Sequence, residues 1–330
     1  MVKYSVIVPS YNSSSTIRSC LSSLLNQSLS KEDYEIIVVD DGSTDNTRSI
    51  IMEFPVKYLW QPNSGPAAAR NHGAREAKGS IILFTDSDCV PAYDWIEEMV
   101  KPFKSADIIA VKGAYGTYQK SLVARFAQVE FQERFELLMK AESIDMVDTY
   151  SAAFRHDTFR QHGGFDESFP VANNEDTDLS YKLSLTGNRM VFNPMAVVFH
   201  LRHPDTIYKY FRQKFWRGFW RMVVYKRFPG KMVKDTYTPQ SLKFQIVFLF
   251  GALSLLLLSF LNGTVLYVSI IFCAAFAASA VSFSVFSIKK DFSVGLLSPF
   301  FLAIRAFSIG SGILYYFYTQ TKRTIFLKNH

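Results

Sequence analysis

The sequence predicts an α/β fold, a mostly parallel sheet with helices on both faces, followed by an interfacial helix and C-terminal transmembrane helices. Three observations carry this reading. Short Val- and Ile-rich runs alternate with amphipathic stretches through the first 115 residues. Polar, acid-rich clusters stand directly after three of those runs. Beyond residue 243 the chain turns apolar, with two uncharged stretches of about the length that crosses a bilayer core.

The elements follow in order. Lys3 to Val8 reads as a buried strand, and VKYSVIV lacks the basic start and long apolar run of a signal peptide, so no export signal is expected. Ile17, Cys20, Leu21, Leu24 and Leu25 have helical i, i+3, i+4 spacing behind a serine run able to cap the helix. Further strands are expected at Tyr34 to Val39, Val56 to Trp60, Ser80 to Thr85 and Ile108 to Val111. Helices are expected from near Thr44, from Gly65 to Lys78 and from Tyr93 to Phe103. Ser121 to Lys140 is a long amphipathic candidate, and Val197 to His200 a late strand.

Composition narrows the class. Hydrophobic residues at 48% and charged residues at 20% exclude a disordered chain, and three cysteines exclude a disulfide-stapled module. Cys20, Cys89 and Cys273 read as unpaired thiols with no metal-ligand spacing among them. The net charge of +7 is unevenly spread: −7 over residues 1–200, +9 over 201–243 and +5 over 244–330. The excess of positive charge therefore belongs to the later segments, and nucleic acid is not an expected partner.

The apolar spans are expected at about 244–261 and 265–288, joined by the turn Asn262 to Thr264. A third hydrophobic segment, about 292–318, contains Pro299 and Arg305, so it reads either as a span or as part interfacial helix. The lysines and arginines of Lys226 to Lys243 and Lys289-Lys290 favour a multi-pass membrane protein with residues 1–243 on the cytoplasmic side. A single third span would carry Lys322, Arg323 and Lys328 to the other side, whereas a surface-lying segment would not. Asp205 to Phe228 interleaves aromatic and basic residues. Tyr208, Phe211, Phe215 and Phe219 can share one face, while Lys209, Arg212, Lys214, Arg217 and Arg221 can meet the phosphates of anionic membrane lipids. Three domains result: 1–203, 204–243 and 244–330.

In open α/β sheets ligands bind outside the carboxyl ends of the strands. Those positions hold Pro9-Ser-Tyr-Asn12, Asp40-Asp-Gly-Ser-Thr-Asp45 and Asp86-Ser-Asp88. Each is also ordinary turn and capping chemistry. Two carboxylates delivered by an uncharged strand repel each other, however, and suit Mg²⁺ or Mn²⁺.

The sequence resembles family 2 of the glycosyltransferases, with the Rossmann-like GT-A fold. The resemblance rests on SVIVPSYN (Ser5 to Asn12), VVDDGSTDNT (Val38 to Thr47), GPAAARNHG (Gly65 to Gly73), FTDSD (Phe84 to Asp88), GGFDE (Gly163 to Glu167) and NEDTDL (Asn174 to Leu179), in the family's order. It implies that Pro9, Tyr11, Asp40 and Asp41 hold the base and ribose of a nucleotide-sugar donor, either aspartate reaching the base. It further implies Arg70 near the donor's sugar or diphosphate, Asp86 and Asp88 as the D-x-D with the last carboxylate on the metal, and Asp176 as the base of an inverting transfer. Glu175 and Asp178 read as helix-start acids favoured by the helix dipole. His200 ends its strand as a surface residue or, as in related enzymes, completes the metal site; His72 reads as structural.

Processive members carry Q-x-x-R-W where this chain has Gln213-Lys-Phe-Trp216-Arg217, so transfer of one sugar is expected, to a lipid-linked or glycolipid acceptor. Ala114 to Tyr150 is expected to shape the acceptor side. A base at Asp176 favours a hydroxyl acceptor, because a phosphate is largely ionised without one. The alternatives are a polyprenyl-phosphate sugar synthase and a catalytically inactive membrane scaffold. Oligomeric state, donor sugar and linkage have no signature in the sequence.

Overall fold

A strand buried on both faces must be covered on both, and β1 (Tyr4–Ser10), buried from Ser5 to Ser10, is the centre of such a layer. In the computed structural model, which describes residues 2–169 and 173–328 with side chains through 321, it is followed by α1 (Ile17–Leu25), β2 (Tyr34–Asp40), α2 (Thr47–Ile51), β3 (Lys57–Trp60), α3 (Pro66–Arg75) and β4 (Ile81–Phe84). Next come β5 (Cys89–Pro91), α4 (Trp95–Val100), β6 (Ile108–Gly116), α5 (Leu122–Leu138), β7 (Ala152–Arg155), α6 (His156–Gln161), α7 (Glu175–Ser184) and β8 (Arg189–His200). The chain continues as α8 (Ile207–Arg227), α9 (Pro229–Val233), α10 (Gln240–Ser259), α11 (Val265–Lys290) and α12 (Phe292–Lys328). The side chains of Lys322, Arg323 and Lys328 lie outside the described residues.

The strands form one eight-stranded sheet in the order β3-β2-β1-β4-β7-β6-β8-β5. The first four are mutually parallel, which is the α/β half expected from the sequence. Beyond them β7 runs antiparallel to β4 and β6, and β5 antiparallel to β8, while β6 and β8 are parallel. The sheet is thus mixed. β5 and β7 escape a pattern search because three or four residues show no periodicity. β8 extends well before the expected Val197 to His200, through Asn193-Pro194, where its register with β6 shifts.

Small residues set how closely the helices approach. Ala67, Ala69 and Gly73 bring α3 down on the sheet, and a Cβ at Gly73 would stand 2.5 Å from Ile7 Cγ2. The expected serine cap of α1 is not made: Thr16 is the N-cap and its side chain caps nothing, while the Ile17 amide donates to the Ser13 carbonyl.

The chain divides into two units, residues 1–118 with 135–202, and residues 119–134 with 203–330. The later division falls after residue 202, and most of α5 belongs with the C-terminal helices. There Val123, Phe126 and Val129 of α5 share a core with Tyr210, Phe283, Val294 and Phe301. Glu130, fully buried, accepts from Lys214 Nζ and Tyr210 Oη, each at 2.8 Å, and from Arg305 Nη1 at 3.1 Å. Arg305 also donates to Gln245 at 2.8 Å. Burial works to raise the Glu130 carboxyl, but Lys214, Arg305 and Arg134 outweigh it and hold it below the usual range.

This corrects the expected faces of α8. Its buried side is Tyr210, Lys214, Gly218 and Val224, so Lys214 is committed to Glu130 and cannot meet phosphates, while Tyr208 is 72% exposed. The packing is tight because Gly218 lies against Ile309 and Gly312 against Phe215, where added Cβ atoms would stand 2.4 and 2.0 Å from backbone oxygens. Among the described residues, three helices are long and apolar enough to cross a membrane: Gln240–Ser259, Val265–Lys290 and Phe292–Thr321. Pro299 does not interrupt the third, since the Gly295 carbonyl that it cannot reach accepts from Ser298 Oγ at 2.7 Å.

Candidate active site

The carboxyl ends of β1, β2 and β4 lie side by side, because those strands are neighbours in register. Two loops there are tied by Asn12, whose backbone is left-handed at φ 47°. Its Oδ1 accepts from the amides of Thr44 (2.8 Å) and Asp45 (3.3 Å), and its own amide donates to Ser43 Oγ at 3.0 Å. Asp40 accepts from the Ser43 amide and the Tyr58 hydroxyl, both at 2.9 Å. Asp41 accepts from Gln61 (2.7 Å) and from the amides of Ser64 and Gly65 (2.9 Å each), which fixes the start of α3. Gln61 is held in turn by His72 at 2.9 Å, in keeping with its structural reading. Both aspartates are thus buried and turned into the loops. Pro9 sits in the strand opposite Val39, and Tyr11 is 51% exposed at the rim.

Arg70 is 2% exposed on α3. Its guanidinium donates to Asp86 Oδ1 at 2.7 Å and Glu175 Oε1 at 2.8 Å, with the Phe165 ring beneath it at 5.9 Å. Phe165 is held by Asn71, which donates to its carbonyl and accepts from its amide; that is what Gly163 to Glu167 contributes. Arg70 therefore bridges the strand-end carboxylates to the first turn of α7. Glu175, read from the sequence as a helix-start acid, is an ion-pair partner at the centre of this bridge. Nothing local in the sequence could show it, because the pairing depends on α3 and α7 meeting.

Asp176 lies beside the bridge, and its Oδ1 accepts from the Thr177 amide at 2.7 Å. Burial, then the charges of Glu175 and Asp148, push its carboxyl up to about 7, against the pull of Arg70. Asp86 and Asp176 are thus brought together around one cation.

Asp88 faces a second group. Cys89 and His200 are directly opposed on β5 and β8, and the Asp88 carboxylate, Cys89 thiol and His200 imidazole offer ligand atoms within 4.8 Å of one another. His200 Nε2 is 3.7 Å from Asp88 Oδ1. The Arg202 amide donates to His200 Nδ1 at 3.1 Å, so the neutral ring carries its proton on Nε2, facing Asp88. Carboxylate and imidazole suit a Mn²⁺-type ion; burial pushes the Cys89 thiol well up, so it stays neutral. Sequence reading missed Cys89 because the β5–β8 pairing joins distant segments.

Residues 5–163 match the family model "Glycosyl transferase family 2". Among curated proteins the chain is similar to Glycosyltransferase AglE of Haloferax volcanii, 36% identical over 115 residues covering 33% of this chain and 38% of that protein. It is also similar to the poly(ribitol-phosphate) beta-glucosyltransferase of Bacillus spizizenii, 46% identical over 94 residues covering 26% of this chain and 15% of that protein. Both matches span well under two thirds of the relative's length. Among solved structures it is similar to mannosyltransferase PcManGT from Pyrobaculum calidifontis in complex with GDP-Man and Mn²⁺, with TM-score 0.62 and 18% identity, covering 96% of this chain and 87% of that one. The likeness at this identity is one of fold.

Proposed function

From the match of residues 5–163 to glycosyl transferase family 2, we propose that the chain is a membrane-anchored inverting enzyme of that family. It moves one sugar from a nucleotide-diphosphate donor to a hydroxyl of a membrane-held acceptor, lipid-linked or glycolipid. The observation that carries the proposal is the Arg70 bridge from Asp86 of the D-x-D to Glu175, the residue before Asp176.

In such a transfer the acceptor oxygen attacks the anomeric carbon, the bond from that carbon to the diphosphate breaks, and the acceptor proton must leave. Asp176 takes that proton, and a carboxyl pushed up to about 7 is matched to the task near neutral pH. Arg70 supplies fixed positive charge on the donor side. Asp88 and His200, with Asp86 alongside, would hold Mg²⁺ or Mn²⁺, which neutralises charge on the departing diphosphate when bound. The Mn²⁺ and GDP-Man in the mannosyltransferase complex support the choice of ion and donor class. To offer Nε2 to a metal, the neutral His200 ring would have to carry its proton on Nδ1 instead, giving up the hydrogen bond from the Arg202 amide. Tyr11 at the rim and Pro9, Asp40 and Asp41 behind it frame the nucleoside side.

The acceptor class is supported by the three apolar helices and by a relative named for glucosylating poly(ribitol phosphate). Exposed Lys209 and Arg212 on α8 suit anionic lipid headgroups, and the basic residues around the spans favour a cytoplasmic catalytic unit.

The test uses the full chain in detergent with Mn²⁺ and three probe donors: UDP-glucose, UDP-N-acetylglucosamine and GDP-mannose. One of them raises the thermal midpoint of the wild type and releases nucleoside diphosphate when a lipid-linked sugar is added. Asp176→Asn keeps the donor-dependent thermal shift and loses about 10²- to 10⁴-fold in rate. Neither shift nor release with any donor would make the chain a scaffold. Undiminished transfer by Asp176→Asn to bare polyprenyl phosphate would make it a polyprenyl-phosphate sugar synthase.

A further inference from the structure

Lysine is seldom fully buried, yet Lys112, in the middle of β6, is 0% exposed. Its ammonium donates to Asp148 and, at 2.8 Å, to the Tyr150 hydroxyl, and it stands 4.7 Å from the centre of the Tyr150 ring. Taking an ammonium out of water is costly, and the preceding positions of β6 are filled by Ile, Ala and Val without that cost. The charge at Lys112 therefore serves something other than packing.

What it serves is reached through Asp148. The Val147 amide donates to Ser180 Oγ at 3.0 Å, and the Ser180 hydroxyl donates to the Asp176 carbonyl at 2.6 Å. Ser180 stands one turn beyond Asp176 on α7. One short buried segment is thus pinned through its carboxylate to the sheet and through its neighbouring amide to the helix that carries Asp176. Val147 is 0% exposed, so the segment has no freedom to drift.

The charges around Asp176 form an ordered set. Glu175 lies on its own helix; Arg70 faces it from α3 and is shared between Glu175 and Asp86. Asp148 faces it from the segment before β7, neutralised by Lys112 from β6. Glu175 and Asp148 are therefore each paired with a buried cation, Arg70 serving Asp86 as well, whereas among the described residues Asp176 makes no ion pair. We propose that Lys112, acting through Asp148, is a positioning residue for Asp176, fixing both where its helix turn sits and the charge that it faces. The inference rests on the reading of Asp176 as the base.

The test needs no substrate. Thermal midpoints of the full chain in detergent are measured from pH 4 to 9 for Asp176→Asn against Asp176, in three backgrounds: wild type, Asp148→Asn and Lys112→Met. Ionising a carboxyl that folding holds protonated costs stability, so the advantage of Asp176→Asn grows with pH and levels off at about 7 in the wild-type background. With Asp148→Asn it levels off about one pH unit lower, and with Lys112→Met about one unit higher. Packing losses cancel because each difference is taken within one background.

A levelling point that does not move, or moves the same way in both backgrounds, overturns the proposal. If Lys112→Met fails to fold, the near-isosteric Asp148→Asn decides alone. The base reading fails separately: Asp176→Asn would then transfer sugar as fast as wild type, whatever the levelling points do.

Discussion

Removing the charge of Glu130 should destabilise the C-terminal helices far more than removing a charge from their surface. In Glu130→Gln, Lys214 and Arg305, each about 1% exposed, are left facing each other without their shared carboxylate. Breaking a buried ion pair costs about 3–5 kcal/mol, most of it the penalty of leaving the surviving charge unpaired. For a unit of this size that corresponds to a loss of roughly 6–20 °C in thermal midpoint. The assay is thermal unfolding of the full chain in detergent, followed by the fluorescence of Trp216 and Trp220 on α8. Lys209→Gln is the control: it removes an exposed pair with Asp205 at the start of α8 worth about 0–1 kcal/mol and should move the midpoint by a few degrees at most. Glu130→Leu with Lys214→Met, which removes one charge of each sign, should recover part of the loss. Equal midpoints for Glu130→Gln and Lys209→Gln would refute the argument that this cluster holds α5, α8 and α12 together.

Two further outcomes follow from the geometry. If Asp176 is the base, as proposed, it must be ionised to accept a proton, and with its carboxyl pushed up to about 7, kcat/KM should rise about tenfold per pH unit up to that point and be flat above it. A profile already flat from pH 5.5 would assign the limb to no group of this kind. Gly312→Ala would drive a methyl into the Phe215 carbonyl oxygen, so it should force α8 off α12 and cost about 1–3 kcal/mol, read as a lower thermal midpoint; Gly263→Ala, with open space around it, should cost far less.

The parallel half of the sheet was legible because its strands are continuous Val and Ile runs between amphipathic helices. The three strand-end clusters followed from that alternation alone. What escaped the sequence are features made by distant pairings. The roles of Glu175 and Cys89 come from α3 meeting α7 and β5 meeting β8. A three-residue strand has no period to detect, and Lys112, in an apolar run, looks like a polar interruption until Asp148 is seen opposite. The burial of Lys214 went unforeseen for a different reason. The spacing of aromatic residues on α8 suggested one face, whereas Gly218, which lets a neighbour approach closely, fixed another.

The path of the chain between the two units has a consequence for biosynthesis. The part of α5 that packs with the C-terminal helices ends at residue 134, yet its partners Ala280, Phe283, Val294 and Phe301 lie well over a hundred residues later. At ordinary translation speeds the ribosome needs roughly 8–30 s to make that stretch. Until then the surfaces of Phe126 and Val129 that meet those residues stay uncovered. A gene fragment cut at residue 203 would make that wait permanent, leaving the apolar side of an amphipathic helix with nothing to close over it. A soluble version of the catalytic unit therefore has to replace residues 119–134 as well as remove the membrane helices.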